Sequence, residues 1–115
     1  MGNEGLDDLI EKTFEEFGAL CHELAVASET KQLIVAHDAY SRLKELSDGA
    51  LNEIEASEWQ YSDKHAPFVA ALRRISDGGQ MGLFALDMKD QADQFLQLAS
   101  DNLHEAYAWF DWTRP

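Results

Sequence analysis

Long stretches of this chain are free of helix breakers, and that constrains its fold more than any other feature. Over 115 residues there are two prolines, Pro67 and Pro115, and seven glycines. Between them, apolar residues recur every three or four positions, the spacing of one face of a 3.6-residue helix. No segment of useful length alternates with the period of two that a strand requires, and no internal repeat or low-complexity run is present.

The pattern predicts four helices. Leu6, Ile10, Phe14, Phe17, Cys21 and Leu24 form one stripe, with Asp8, Glu11, Glu15 and Glu16 opposite, so a helix is expected over roughly 5–28. Ser28 or Thr30 would cap a second helix, whose stripe runs Leu33, Ala36, Tyr40, Leu43, Ser47, Ala50, Leu51 and Ile54. Ile34, Val35 and Leu46 lie off that stripe, so this helix is apolar on more than one side and suits self-association. Gly49 leaves its continuity open, because glycine inside a helix costs about 1 kcal/mol relative to alanine. Ser62 or Asp63 would cap a short third helix with Pro67 in its first turn, and Gly78-Gly79 would end it. The third helix's face would be Phe68, Leu72 and Ile75, helped by Val69. A last helix is expected from about Met81 to Phe110, with Met88, Ala92, Phe95, Leu96, Ala99, Leu103, Ala106, Tyr107 and Phe110 as its buried stripe. The fold predicted is a single all-α domain over residues 1–115, an antiparallel four-helix bundle with three long helices and one short one.

Charge then narrows the partners. Acids outnumber bases 22 to 9, giving a net charge of -13. Such a chain repels nucleic-acid phosphates and anionic membrane surfaces. The excess is uneven: residues 1–30 carry eight acids and one base, while Arg73-Arg74 is the lone basic doublet. An acidic helix face keeps a small protein soluble, and it also steers a partner with a basic surface or imitates nucleic acid for a protein that binds it. A single cysteine, Cys21, rules out an intramolecular disulfide. The acidic N-terminus lacks the charge pattern of a secretory signal, so a cytoplasmic protein is expected.

Catalytic signatures are sparse. There is no Gly-rich phosphate loop after a strand and no Gly-x-Ser-x-Gly elbow. His22, His37, His65 and His104 form no His-x-x-x-His pair, and Asp101-x-x-His104 stands alone where a carboxylate-bundle metal site needs that motif twice. No catalytic residue, metal site or cofactor is therefore assigned. Glu16 together with Glu45-Leu-Ser-Asp48 resembles the paired carboxylates of all-α MazG-like NTP pyrophosphatases. That resemblance implies a magnesium-dependent nucleotide hydrolase as the alternative function, although Ala19 stands where the family's first motif has a second Glu.

The C-terminal aromatics point elsewhere. Tyr107 and Phe110 share the last helix's stripe, but Trp109 and Trp112 fall near Leu98 and Glu105, on the outward side. Large apolar residues rimmed by charge mark contact surfaces, and tryptophan is enriched at interface hot spots. The function expected is a non-enzymatic protein that binds and modulates another protein and itself forms a homodimer. Trp109, Trp112 and Leu98 are its candidate anchors, and Glu11 and Glu15 belong to the steering face.

Overall fold

The computed structural model describes residues 4–88 and 92–113. Four α-helices follow one another: α1 over Glu4–Thr30, α2 over Leu33–Glu55, α3 over His65–Asp87 and α4 over Ala92–Asp111, with a 3-10 turn at Trp59–Tyr61 before α3. They pack in chain order, α1 on α2, α2 on α3 and α3 on α4, as one elongated body of 49 × 22 × 20 Å. The all-α four-helix expectation holds. Among the described residues, no helix is long and apolar enough to cross a membrane.

Most residues of the predicted stripes form the core, but Leu33 of the α2 stripe and Leu96 and Tyr107 of the α4 stripe are exposed. Leu6, Phe17, Leu43, Phe68, Leu72, Ile75 and Phe110 are fully buried. Each complete burial of such a side chain contributes about 1.5–3 kcal/mol relative to leaving it in water. α2 is continuous through Gly49, which is exposed and has no neighbour within 4 Å of a Cβ placed there. Neither Ser28 nor Thr30 caps α2. The Thr30 hydroxyl instead donates back to the Val26 carbonyl at 2.8 Å. Lys31 takes a left-handed conformation (φ 56°), so that the Gln32 N–H reaches the Ala27 carbonyl at 2.9 Å and closes α1. At the start of α3, the Ser62 hydroxyl accepts from the Lys64 N–H at 3.2 Å.

One boundary moves. Gly78-Gly79 does not end α3, which runs on to Asp87 and is as long as α2. The expected short helix is a full-length one, and the break falls at Met88, which is extended (ψ 136°) and exposed. Met88 therefore belongs to a connection and not to the buried stripe of α4. The glycines are there for proximity. A Cβ on Gly78 would stand 2.8 Å from Leu103 Cδ2, and one on Gly79 would stand 2.9 Å from the Tyr40 carbonyl oxygen. One on Gly82 would collide with the Tyr40 ring. All three are buried, so neighbouring helices occupy the space a side chain would need. The helix-propensity cost of glycine is offset by the close approach of α2 and α4.

Opposite signs are therefore expected for two glycine substitutions. Gly79→Ala should destabilise the fold by about 1–3 kcal/mol through overpacking against backbone. Gly49→Ala should stabilise it by about 0.5–1 kcal/mol. Thermal melts followed by far-UV circular dichroism read both.

Candidate functional site

The last turn of α4 separates two grooves. Ala106 and Phe110 point into the bundle, and Thr113 is buried behind them, its hydroxyl donating to the Phe110 carbonyl at 2.6 Å. On the α3 side, Trp109 lines a groove of about 520 Å³ together with His65, Val69, Arg73, Arg74 and Asp77. Arg74 is fixed in place: its Nε lies 3.2 Å from Glu105 Oε2, and its Nη1 donates to Asn102 Oδ1 at 3.2 Å. On the α1 side, a groove of about 470 Å³ has Ile10, Phe14 and Phe110 as its apolar floor and Asp7, Glu11 and Glu15 along one rim. Lys64 Nζ meets Asp7 Oδ1 at 2.6 Å and joins the start of α3 to this rim.

The predicted anchors and steering residues thus converge on one end of the bundle, with one exception. Trp109 is 36% exposed and walls the α3-side groove, while Trp112 is 75% exposed and projects free of both grooves. Glu11 and Glu15 are exposed on the α1-side rim. Leu98 is exposed and shares the angular position of Trp109, but it lies eleven residues away, about 16 Å along the helix axis. It joins neither groove. Asp7, Glu11 and Glu15 follow one another at i, i+4 spacing, and like charges so placed destabilise an isolated helix by about 0.2–0.5 kcal/mol per pair. Among the described residues, only Asp7 of the three has a cation against it.

The grooves themselves were not legible in the residue pattern, because they depend on helix separation. α1 and α4 meet through rings and not through close backbones: Tyr107 lies against Phe14 and Phe17 with centroids 5.9 and 4.6 Å away, and Phe110 against the same pair at 5.0 and 5.6 Å. Such ring pairs contribute about 0.5–1.5 kcal/mol beyond burial. The seam they hold apart continues past Tyr107 as a second groove of about 380 Å³, lined by Cys21, Leu24, Tyr40, Leu96, Leu103 and His104 among others.

The carboxylates of the alternative reading lie between α1 and α2. Glu16 and Glu45 share a groove of about 350 Å³ with Ala19, Glu23 and Arg42. Arg42 Nη1 is 3.3 Å from Glu23 Oε2 and 3.7 Å from Asp38 Oδ2, which puts a cation among these acids. Asp48 is exposed outside that groove. The histidines are dispersed: His65 borders the Trp109 groove, and His104 Nδ1 lies 2.9 Å from the Ser100 carbonyl oxygen. Among the described residues, no group of three or more His, Cys, Asp or Glu is arranged to hold a metal ion.

Cys21 sits in the seam beside Tyr107. Burial pushes its thiol up to about 11, and a hydrogen bond with Tyr107 offsets part of the rise. Burial also raises the Tyr107 and Tyr40 phenols, with the neighbouring Cys21 adding to both. These groups are neutral when folded and ionise more easily when unfolded. Their stabilisation is therefore complete below about pH 9 and lost as the pH climbs through the folded-state values. Alkylation of Cys21 by iodoacetamide at pH 8 should run about a hundredfold slower in the folded protein than in urea, in proportion to its thiolate fraction. Mass spectrometry over time reads the difference.

Compared with family models, curated proteins and solved structures, the chain matches none.

Proposed function

We propose that this chain is a small acidic, non-enzymatic protein that binds and modulates another protein, of the inhibitor, antitoxin, immunity or anti-activator type. The observation that carries the reading is the exposed tryptophan surface at the C-terminal end of α4 beside the acidic face of α1. Trp112 is 75% exposed with Trp109 next to it, and the rim of Glu11 and Glu15 borders the same helix end. Exposed tryptophans supply contact area at low entropic cost, and the acids raise the encounter rate with a basic surface. The free thiol of Cys21 fits a reducing cytoplasm.

Self-association belongs to this proposal and uses the other end of the bundle. At the start of α2, Leu33 is 67% exposed and Ile34 is 86% exposed, with Val35 beside them. That apolar surface lies far from the acidic N-terminal half of α1, where two copies would repel. The competing reading, a magnesium-dependent nucleotide pyrophosphatase, has one observation in its favour: Glu16 and Glu45 border the same groove. Ala19 and the Arg42 side chain occupy that groove with them.

Three measurements test the reading. Trp109→Ala with Trp112→Ala should lower affinity for a protein captured from host extract and rebound in pure form by at least about tenfold, with far-UV circular dichroism unchanged. The association rate with that protein should fall as salt rises, because exposed charges are screened beyond about 10 Å at 0.1 M. Magnesium-dependent hydrolysis of nucleoside triphosphates that Glu45→Ala abolishes would overturn it in favour of the enzyme. For the second copy, Ile34→Glu should convert the dimer to monomer in sedimentation velocity.

A further inference from the structure

The seam between α1 and α4 carries the inference furthest, at the groove of about 380 Å³ beyond Tyr107. Its walls are accessible helix faces. On α1, Cys21 and Leu24 are half-buried and Ala25 and Ser28 are exposed, at the i, i+3, i+4 and i+7 positions of one face. On α4, Leu96 and Tyr107 are each 36% exposed, with Ser100 and His104 between them. Only the floor is buried: Tyr40 of α2 is 8% exposed and Leu103 is 9% exposed. The rings of Tyr107, Phe14 and Phe17 close one end, so the groove is a pocket and not a channel along the whole seam. Clefts between the helices of a bundle are a preferred setting for small molecules, and this volume lies at the lower end of the roughly 300–1,000 Å³ that such sites span.

Two features of the lining select a ligand. The first is charge. The chain holds 22 acids and 9 bases, yet among the described residues no Asp, Glu, Lys or Arg lines this groove. A charged ligand would give up its water here without gaining a counter-ion. Burial raises the Cys21, Tyr107 and Tyr40 groups in the same place, so all three stay neutral at neutral pH. The second feature is Tyr40. Its ring lies against Gly82, which fixes it on α3. A buried tyrosine ordinarily finds a partner for its hydroxyl. Among the described residues the Tyr40 hydroxyl has none, and no side-chain N or O sealed from solvent is left without one. The hydroxyl therefore opens to the groove, beside Cys21. We propose that this groove binds a small, neutral and largely apolar organic molecule. Its apolar body lies against Leu24, Leu96 and Tyr107, and a single hydroxyl or carbonyl group forms a hydrogen bond with the Tyr40 hydroxyl. None of Trp109, Trp112, Leu33 and Ile34 lines this groove, so the site stands independently of the protein-binding reading.

The test uses the full chain and three naphthalenes substituted at the same ring carbon, with a hydroxymethyl, a carboxylate or an aminomethyl group. Binding is followed by isothermal titration calorimetry and by methyl shifts in two-dimensional NMR. The hydroxymethyl compound should bind with a Kd of about 1 mM or tighter and shift Leu24, Leu96 and Leu103. It should also slow alkylation of Cys21 by iodoacetamide in proportion to its occupancy. The carboxylate and the ammonium should each bind at least about tenfold more weakly. Ala25→Phe fills the groove from its exposed wall and should weaken the hydroxymethyl compound at least about tenfold. Ala108→Phe, exposed on α4 outside the groove, should leave its affinity unchanged. Tyr40→Phe keeps the ring and should weaken it about two- to tenfold, the loss of one hydrogen bond. The proposal is overturned if the hydroxymethyl compound does not bind, if all three compounds bind alike, or if Ala25→Phe leaves binding intact. Should Ala25→Phe unfold the chain, the unaltered protein decides: binding that leaves Cys21 unprotected overturns the proposal. Shifts confined to Ile34 or Trp109 mark adsorption to exposed apolar surface and also overturn it. Leu24 and Leu96 shifts that follow protein concentration alone assign the groove to a second copy and do the same.

Discussion

Everything in this bundle follows from how closely α3 lets its neighbours approach. Gly78 faces α4, Gly79 and Gly82 face α2, and at each the space of a methyl group is already occupied. A helix with such faces brings two backbones within reach, and dispersion contacts accumulate along them. α1 has no such neighbour across the seam. It leans on α2 and reaches α4 mainly through the rings of Phe14, Phe17, Tyr107 and Phe110. The tight side of the bundle and its open side are two results of one distribution of side-chain size.

The helical faces could be read from the sequence because burial and the 3.6-residue period act on the same residues. Leu6, Phe17, Leu43, Phe68, Leu72 and Phe110 are core by pattern and core in space. The α3 boundary was misread because Gly78-Gly79 obeys two rules at once. Paired glycines favour helix ends, and they also favour helix crossings, and only a neighbouring helix decides between them. The real end at Met88 carries no glycine or proline to mark it. The α2 cap was misassigned for a related reason, since the Thr30 hydroxyl had a local partner in the Val26 carbonyl.

The candidate site divides in the same way. The outward position of Trp109 and Trp112 and the acidity of α1 are matters of helical angle and composition, so single-sequence reasoning reaches them. The basic doublet is visible in the sequence too, but its place beside Trp109 requires the packing of α3 on α4. Leu98 was included on angle alone, and axial distance removes it from both grooves. The groove above Phe110 had no sequence signal, because it is a gap held open by ring dimensions.

The separation of α1 from α4 has a consequence for how this protein can change over generations. Positions 78, 79 and 82 favour glycine, since a larger residue meets the Leu103 side chain, the α2 backbone at Tyr40 and the Tyr40 ring respectively. The seam's acidic rim contributes little to the fold, and Glu11 and Glu15 face water. Substitution there alters what the surface attracts while the scaffold beneath stays folded. Under the proposed function, recognition and foldability fall to different helices, and one can drift without dragging the other along.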